Sequence, residues 1–110
     1  MIMEELEFRQ HADEALTILY RLLAAAADDY PFDVDYNGEV LTVEFENTHA
    51  KFLVSPRKHS QQICISARAK SYQLDWDIVE AAFVLGGSGE TLKEVMEELI
   101  SKQLGEEISL

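Results

Sequence analysis

Between Glu4 and Ala27, apolar residues return every three or four positions: Phe8, Ala12, Ala15, Leu16, Leu19, Leu22, Leu23 and Ala26. That spacing predicts one amphipathic helix with a single apolar stripe. Glu4, Glu5, Glu7, Asp13 and Glu14 crowd its first half, where the positive end of the helix dipole favours carboxylates. Pro31, after Asp28-Asp29-Tyr30, ends the helical pattern and begins an extended one.

From there the period becomes two. Phe32–Tyr36 reads as a short strand, and Asn37-Gly38 as a tight turn into Val40–Glu46. Leu41, Val43 and Phe45 share one side of that second strand, while Thr42, Glu44 and Glu46 share the other. A turn at Asn47–His49 leads to Ala50–Ser55, with Phe52 and Val54 inward, and a polar loop spans Pro56–Ser60. Gln62–Ser66 follows with Ile63 and Ile65 inward, then Ser71–Trp76 with Tyr72, Leu74 and Trp76 on one side. Ala81–Leu85 has the length and composition of an edge strand.

Gly86-Gly87-Ser88-Gly89 is a connector, and Thr91-x-x-Glu94 fits a capping box that opens a second helix. Leu92, Val95, Met96, Leu99, Ile100 and Leu104 form its apolar stripe, and Gly105 stands where a helix end needs positive φ. Ile108 and Leu110 alternate in the tail, which predicts that it folds back onto the domain. Each element has one apolar side, so both helices are expected on one face of the sheet. The fold class is therefore α+β: a two-layer α-β sandwich with an antiparallel sheet of five to six strands, in one domain over residues 1–110.

Composition narrows the function. A length of 110 residues gives room for one core, and 47% hydrophobic with 27% charged residues is a globular balance. The 21 acids against 9 bases leave a net charge of −12. Such a field repels nucleic acid and anionic membranes and favours cations and basic protein surfaces. The single cysteine, Cys64, excludes an internal disulfide and a cysteine-based zinc site. No apolar run approaches the roughly 20 residues that span a bilayer. The opening MIMEELEF lacks signal-peptide and transit-peptide character, so a cytoplasmic bacterial protein is expected; a processed organelle form would read the same.

Catalytic motifs are missing: there is no nucleophile elbow, phosphate-binding loop or paired-histidine metalloprotease motif. Three features have chemistry instead. Glu7, His11 and Glu14 fall at i, i+4 and i+7, on one helix face, a carboxylate–imidazole–carboxylate row able to meet a metal cation or simply to be solvated. Cys64 lies between the inward Ile63 and Ile65, which predicts an outward, exposed thiol. Pro56-Arg57-Lys58-His59 is the one basic cluster, fit either to dock an acidic patch or to balance charge.

The stretches EFRQHADEAL, Asp33–Val43, VLTVEFEN, SGET and the closing Glu-Glu-Ile-Ser-Leu resemble the frataxin family, in its bacterial CyaY-like branch, along nearly the whole chain. The resemblance implies a frataxin-like fold, weakly bound iron (Fe2+ or Fe3+), and a regulatory or iron-donating role in iron–sulfur cluster assembly through binding of cysteine desulfurase and the scaffold machinery. It implies a monomer when iron is absent. The family's acidic ridge maps onto Glu7, Asp13, Glu14, Asp28, Asp29, Asp33 and Asp35, with His11 added by the helix spacing. The partner-binding set maps onto Asp28, Asp29, Asp33, Asp35, Arg57, Gln62 and Cys64. Where frataxins carry Asn, Gln, Pro and Trp through the third and fourth strands, this chain has Ser55, Arg57, His59 and Cys64, and only Gln62 keeps the family residue. Two further readings are an acidic secretion-type chaperone or other protein-binding adaptor, usually a dimer, and a ferroxidase or iron store.

Overall fold

A computed structural model describes residues 3–46 and 48–110. The order of elements is α1 (Glu5–Ala26), β1 (Phe32–Tyr36), β2 (Leu41–Phe45), β3 (Lys51–Arg57), β4 (Gln62–Ala67), β5 (Lys70–Asp77), β6 (Ala82–Leu85) and α2 (Leu92–Leu104). The six strands form one antiparallel meander, each beside its neighbour in sequence. Both helices cover the same face. Their buried residues, Phe8, Leu16 and Leu23 from α1 and Val95, Met96 and Ile100 from α2, join Leu41, Val54, Ile65 and Leu74 of the sheet in one core.

The two helices are specified differently. Thr91 Oγ1 accepts from the Glu94 N–H at 3.3 Å while Glu94 Oε1 accepts from the Thr91 N–H at 3.0 Å, so the capping box is closed. Gly105 at φ 74° ends α2 in the left-handed conformation that costs glycine little. By contrast, the Glu4 side chain at the start of α1 makes no capping hydrogen bond among the described residues, and no basic residue sits in the last turn of that helix. Its 22 residues are held by the stripe beneath them, each fully buried Leu or Phe contributing about 1.5–3 kcal/mol. Phe8 meets Phe83 of β6 edge-on at 6.0 Å, and Tyr20 lies 6.3 Å from Tyr36 of β1. The helix therefore crosses the sheet from one edge to the other.

One expectation changes. β3 runs through Pro56 to Arg57, where a loop is expected. Its β2 partner stops at Leu41, opposite Val54, so the proline's missing N–H faces no strand on that side. The edge strand is real, giving six strands, and its outer side is joined by a bridge between Val84 and Thr91. The turn expected at Asn47–His49 includes Asn47, which lies outside the described residues. The tail does fold back: Ile108 is buried, its N–H donating to Ser101 Oγ at 3.0 Å, and the Leu110 N–H donates to Glu97 Oε2 at 2.7 Å. No described helix is long and apolar enough to cross a membrane.

Candidate iron and partner surfaces

Helical spacing and strand parity divide the predicted acidic ridge into separate groups. On the flank of α1 that faces β5 and β6, Glu7 Oε1 lies 3.9 Å from His11 Nε2. The imidazole is stacked on Trp76, with ring centroids 3.9 Å apart and planes 20° from parallel. Glu14 follows on the same flank, exposed at the edge of a cleft toward α2. Asp13 points the other way. Its Oδ1 accepts from the Tyr36 hydroxyl of β1 at 2.7 Å. Burial first, and then the Asp13 carboxylate, push the Tyr36 phenol up from 10.0 to about 12.

Asp28 and Asp29 are exposed in the turn after α1, where the Asp29 N–H donates to the Ala26 carbonyl at 2.9 Å. Asp33 and Asp35 alternate with Phe32, Val34 and Tyr36, which pack toward the helices. Their carboxylates therefore leave from the opposite, open face of the sheet. Asp33 is paired across the ladder with Glu44, whose carboxylate meets Lys51 at 3.4 Å. The sequence reading gathered these acids into one ridge; the two-layer fold puts those of α1 and those of β1 on different layers, joined around the free β1 edge by Asp28 and Asp29.

Among the described residues no three His, Cys, Asp or Glu side chains converge closely enough to hold a metal ion. The carboxylates are hard oxygen donors, spread over the surface rather than gathered into one site.

The open face carries the remaining predicted residues. Arg57, Gln62 and Asp75 stand side by side on β3, β4 and β5, with Gln62 Nε2 donating to Asp75 Oδ1 at 2.9 Å. Cys64 keeps the predicted outward parity but not the predicted exposure: it is 4% exposed. Ser55 and Gln73 flank it across the ladder, and the Gln73 amide lies 3.9 Å from the sulfur, so neighbouring side chains roof the thiol. Sequence reasoning missed the roles of Trp76 and Tyr36 as partners of the two α1 polar groups. The signal available was their inward parity, which placed both rings beneath the helix.

A family model described as the frataxin-like domain matches residues 1–106. The chain belongs to the frataxin family. Among solved structures it is similar to the frataxin from Psychromonas ingrahamii, of the CyaY protein family, with a TM-score of 0.76 and 26% identity over 97% of each chain. The six-stranded meander under two helices is thus the frataxin fold, and membership brings the family's role in iron–sulfur cluster assembly.

Proposed function

We propose that this frataxin regulates iron–sulfur cluster assembly by docking the acidic β1 edge on a basic surface of cysteine desulfurase and delivering weakly held iron there, in a bacterial cytoplasm. The observation that carries this reading is the run of exposed carboxylates Asp28, Asp29, Asp33 and Asp35 along the turn and edge strand. None of these four takes part in an ion pair among the described residues. Unpaired acids of one sign raise association rates with a basic partner more than they add affinity. The open sheet face, with Arg57 and Gln62, supplies the contact that fixes orientation toward the desulfurase and the scaffold machinery. Iron(II) or iron(III) would meet Glu7, His11, Asp13, Glu14 and the β1 edge as separate carboxylate contacts, with one imidazole among them.

The test is titration into a bacterial cysteine desulfurase at low and physiological salt. Saturable binding that weakens with salt is expected. Changing Asp28, Asp29, Asp33 and Asp35 together to amides should weaken it and flatten the salt dependence. Binding that ignores both salt and these substitutions would remove the β1 edge as the docking surface.

A further inference from the structure

The sheet ends at β1 on one side and at β6 on the other, and the β6 edge is partly taken by the bridge from Val84 to Thr91. Which backbone groups β1 leaves free follows from its ladder. The Glu46 N–H donates to the Pro31 carbonyl at 3.1 Å, and the Asn37 N–H to the Val40 carbonyl at 3.3 Å. Those two bonds bracket the register that runs from Phe32↔Phe45 to Tyr36↔Leu41. Antiparallel pairs alternate between hydrogen-bonded and non-hydrogen-bonded. Asp33 and Asp35 therefore bond to Glu44 and Thr42, while Val34 and Tyr36 turn their N–H and C=O groups outward. The Phe32 N–H is used locally, donating to the Tyr30 carbonyl at 2.8 Å, so Val34 and Tyr36 supply the free donors of the edge.

The two faces beside this edge differ. On the helix side Val34 and Tyr36 are half-buried, and Tyr20 lies 6.3 Å from Tyr36, which leaves the core with an uncovered apolar margin. On the open side Asp33 and Asp35 are exposed, and neither β1 nor β2 contains a lysine or arginine. Lys51, on the row of Asp33, is already held by Glu44 at 3.4 Å, and Arg57 stands beyond the end of β2.

We propose that β1 takes an added strand from a partner protein: an extended antiparallel segment with lysine or arginine at every second position and apolar residues between. Backbone pairing supplies the affinity, and the alternating side chains choose the partner. A residue opposite Val34 or Tyr36 lies on the helix side and covers the apolar margin. One opposite Asp33 or Asp35 lies on the open side, within reach of a carboxylate. A chain of net charge −12 favours this occupant over a second copy of itself. The site is the β1 edge already proposed for the desulfurase, and the pairing rests on that reading while adding the shape of what docks.

The probe is the acetylated and amidated peptide Lys-Val-Lys-Val-Lys-Val, titrated into the isotope-labelled full chain and followed by amide shifts and hydrogen exchange. Saturable shifts centred on β1 are expected, with exchange at the Val34 and Tyr36 N–H groups slowed at least about tenfold. A peptide of the same composition with lysines and valines in separate blocks should bind about tenfold more weakly. So should the alternating peptide N-methylated at its valines, which keeps every charge but loses the N–H groups that face β1. Val34→Pro removes a donor on the outer side, where an edge tolerates proline, and should weaken binding alike. Should that variant unfold, the methylated peptide decides. Equal binding of the three peptides, or binding without protection of Val34 and Tyr36, overturns the pairing in favour of charge attraction alone. Dimerisation of the parent chain that Val34→Pro abolishes overturns it in favour of a second copy. Desulfurase binding lost in the four-amide variant but kept in Val34→Pro overturns strand pairing and leaves the electrostatic docking standing. Peptide pairing in a chain that fails to bind desulfurase supports the strand site and removes only the desulfurase.

Discussion

The His11 imidazole lies flat on the indole of Trp76, centroids 3.9 Å apart, and so bridges the first helix to the fifth strand. Trp76 in turn meets Phe83 edge-on at 5.2 Å, and Phe83 meets Phe8, which closes an aromatic path back to the same helix. His11→Ala should destabilise the fold by about 1 kcal/mol, the usual worth of an aromatic pair beyond its buried area. Trp76 emission should move to longer wavelength as the ring gains water. Chemical denaturation read by that emission checks both. Unchanged stability and emission would mean that the contact contributes nothing.

Tyr36 and Asp13 make an alkaline prediction. The phenol titrates at 10.0 when unfolded and at about 12 when folded, through burial and the adjacent carboxylate. A raised folded value favours the protonated form, so the contribution to stability is full below pH 10 and is lost as the pH rises through about 12. Phenolate absorbance of the native protein should show a late-titrating step that is absent in Tyr36→Phe. Asp13→Asn should bring that titration down only part of the way, because burial, the larger cause, remains.

Ala81 has φ 52° at the end of the β5–β6 turn, where Asp77 Oδ1 accepts from the backbone of Val79 at 2.8 Å and Glu80 at 3.1 Å. A left-handed alanine costs about 1–2 kcal/mol against glycine, and glycine returns about 0.4–1 kcal/mol of that through the unfolded chain. Ala81→Gly should therefore stabilise by about 0.5–1 kcal/mol, seen as a higher denaturation midpoint with an unchanged slope. A lower midpoint would show that the methyl group packs usefully.

Cys64 should resist thiol reagents in the native protein and react at once in denaturant, because its roof of Ser55 and Gln73 must open first. Gln73→Ala should speed native labelling without a comparable loss of stability. Native labelling as fast as that of a free thiol would place the sulfur in solvent.

How much of this was legible in the chain depends on range. β1 lies over Phe32–Tyr36, as the two-residue period predicts, because its alternation and the Asn37-Gly38 turn are local. The capping box of α2 and the left-handed Gly105 are local as well. Pro56 looked like a loop because the sequence does not say where β2 stops, and only that length tells whether its lost N–H matters. Cys64 shows the same divide: its parity follows from its own strand, but its burial comes from residues on two others. His11 read as one of a row of ligands, while its neighbour in space, Trp76, is set by the register of a strand far along the chain. The acids of α1 and β1 are interchangeable as letters; only the two layers show that they leave from different faces.

The free edge at β1 has a consequence for the chain's own solubility. At the other end of the sheet, the bridge from Val84 to Thr91 occupies part of the β6 edge, while β1 offers unpaired backbone groups along Phe32–Tyr36. Two copies pairing there antiparallel would bring Asp33 and Asp35 of each against the same residues of the other, a repulsion that keeps such edges from templating aggregates. The carboxylates proposed to greet a basic partner are also the guard on the strand. The amide variant that removes them exposes an edge fit for amyloid-like growth, so turbidity and fibril-dye binding of that variant should rise with time while the parent protein stays clear.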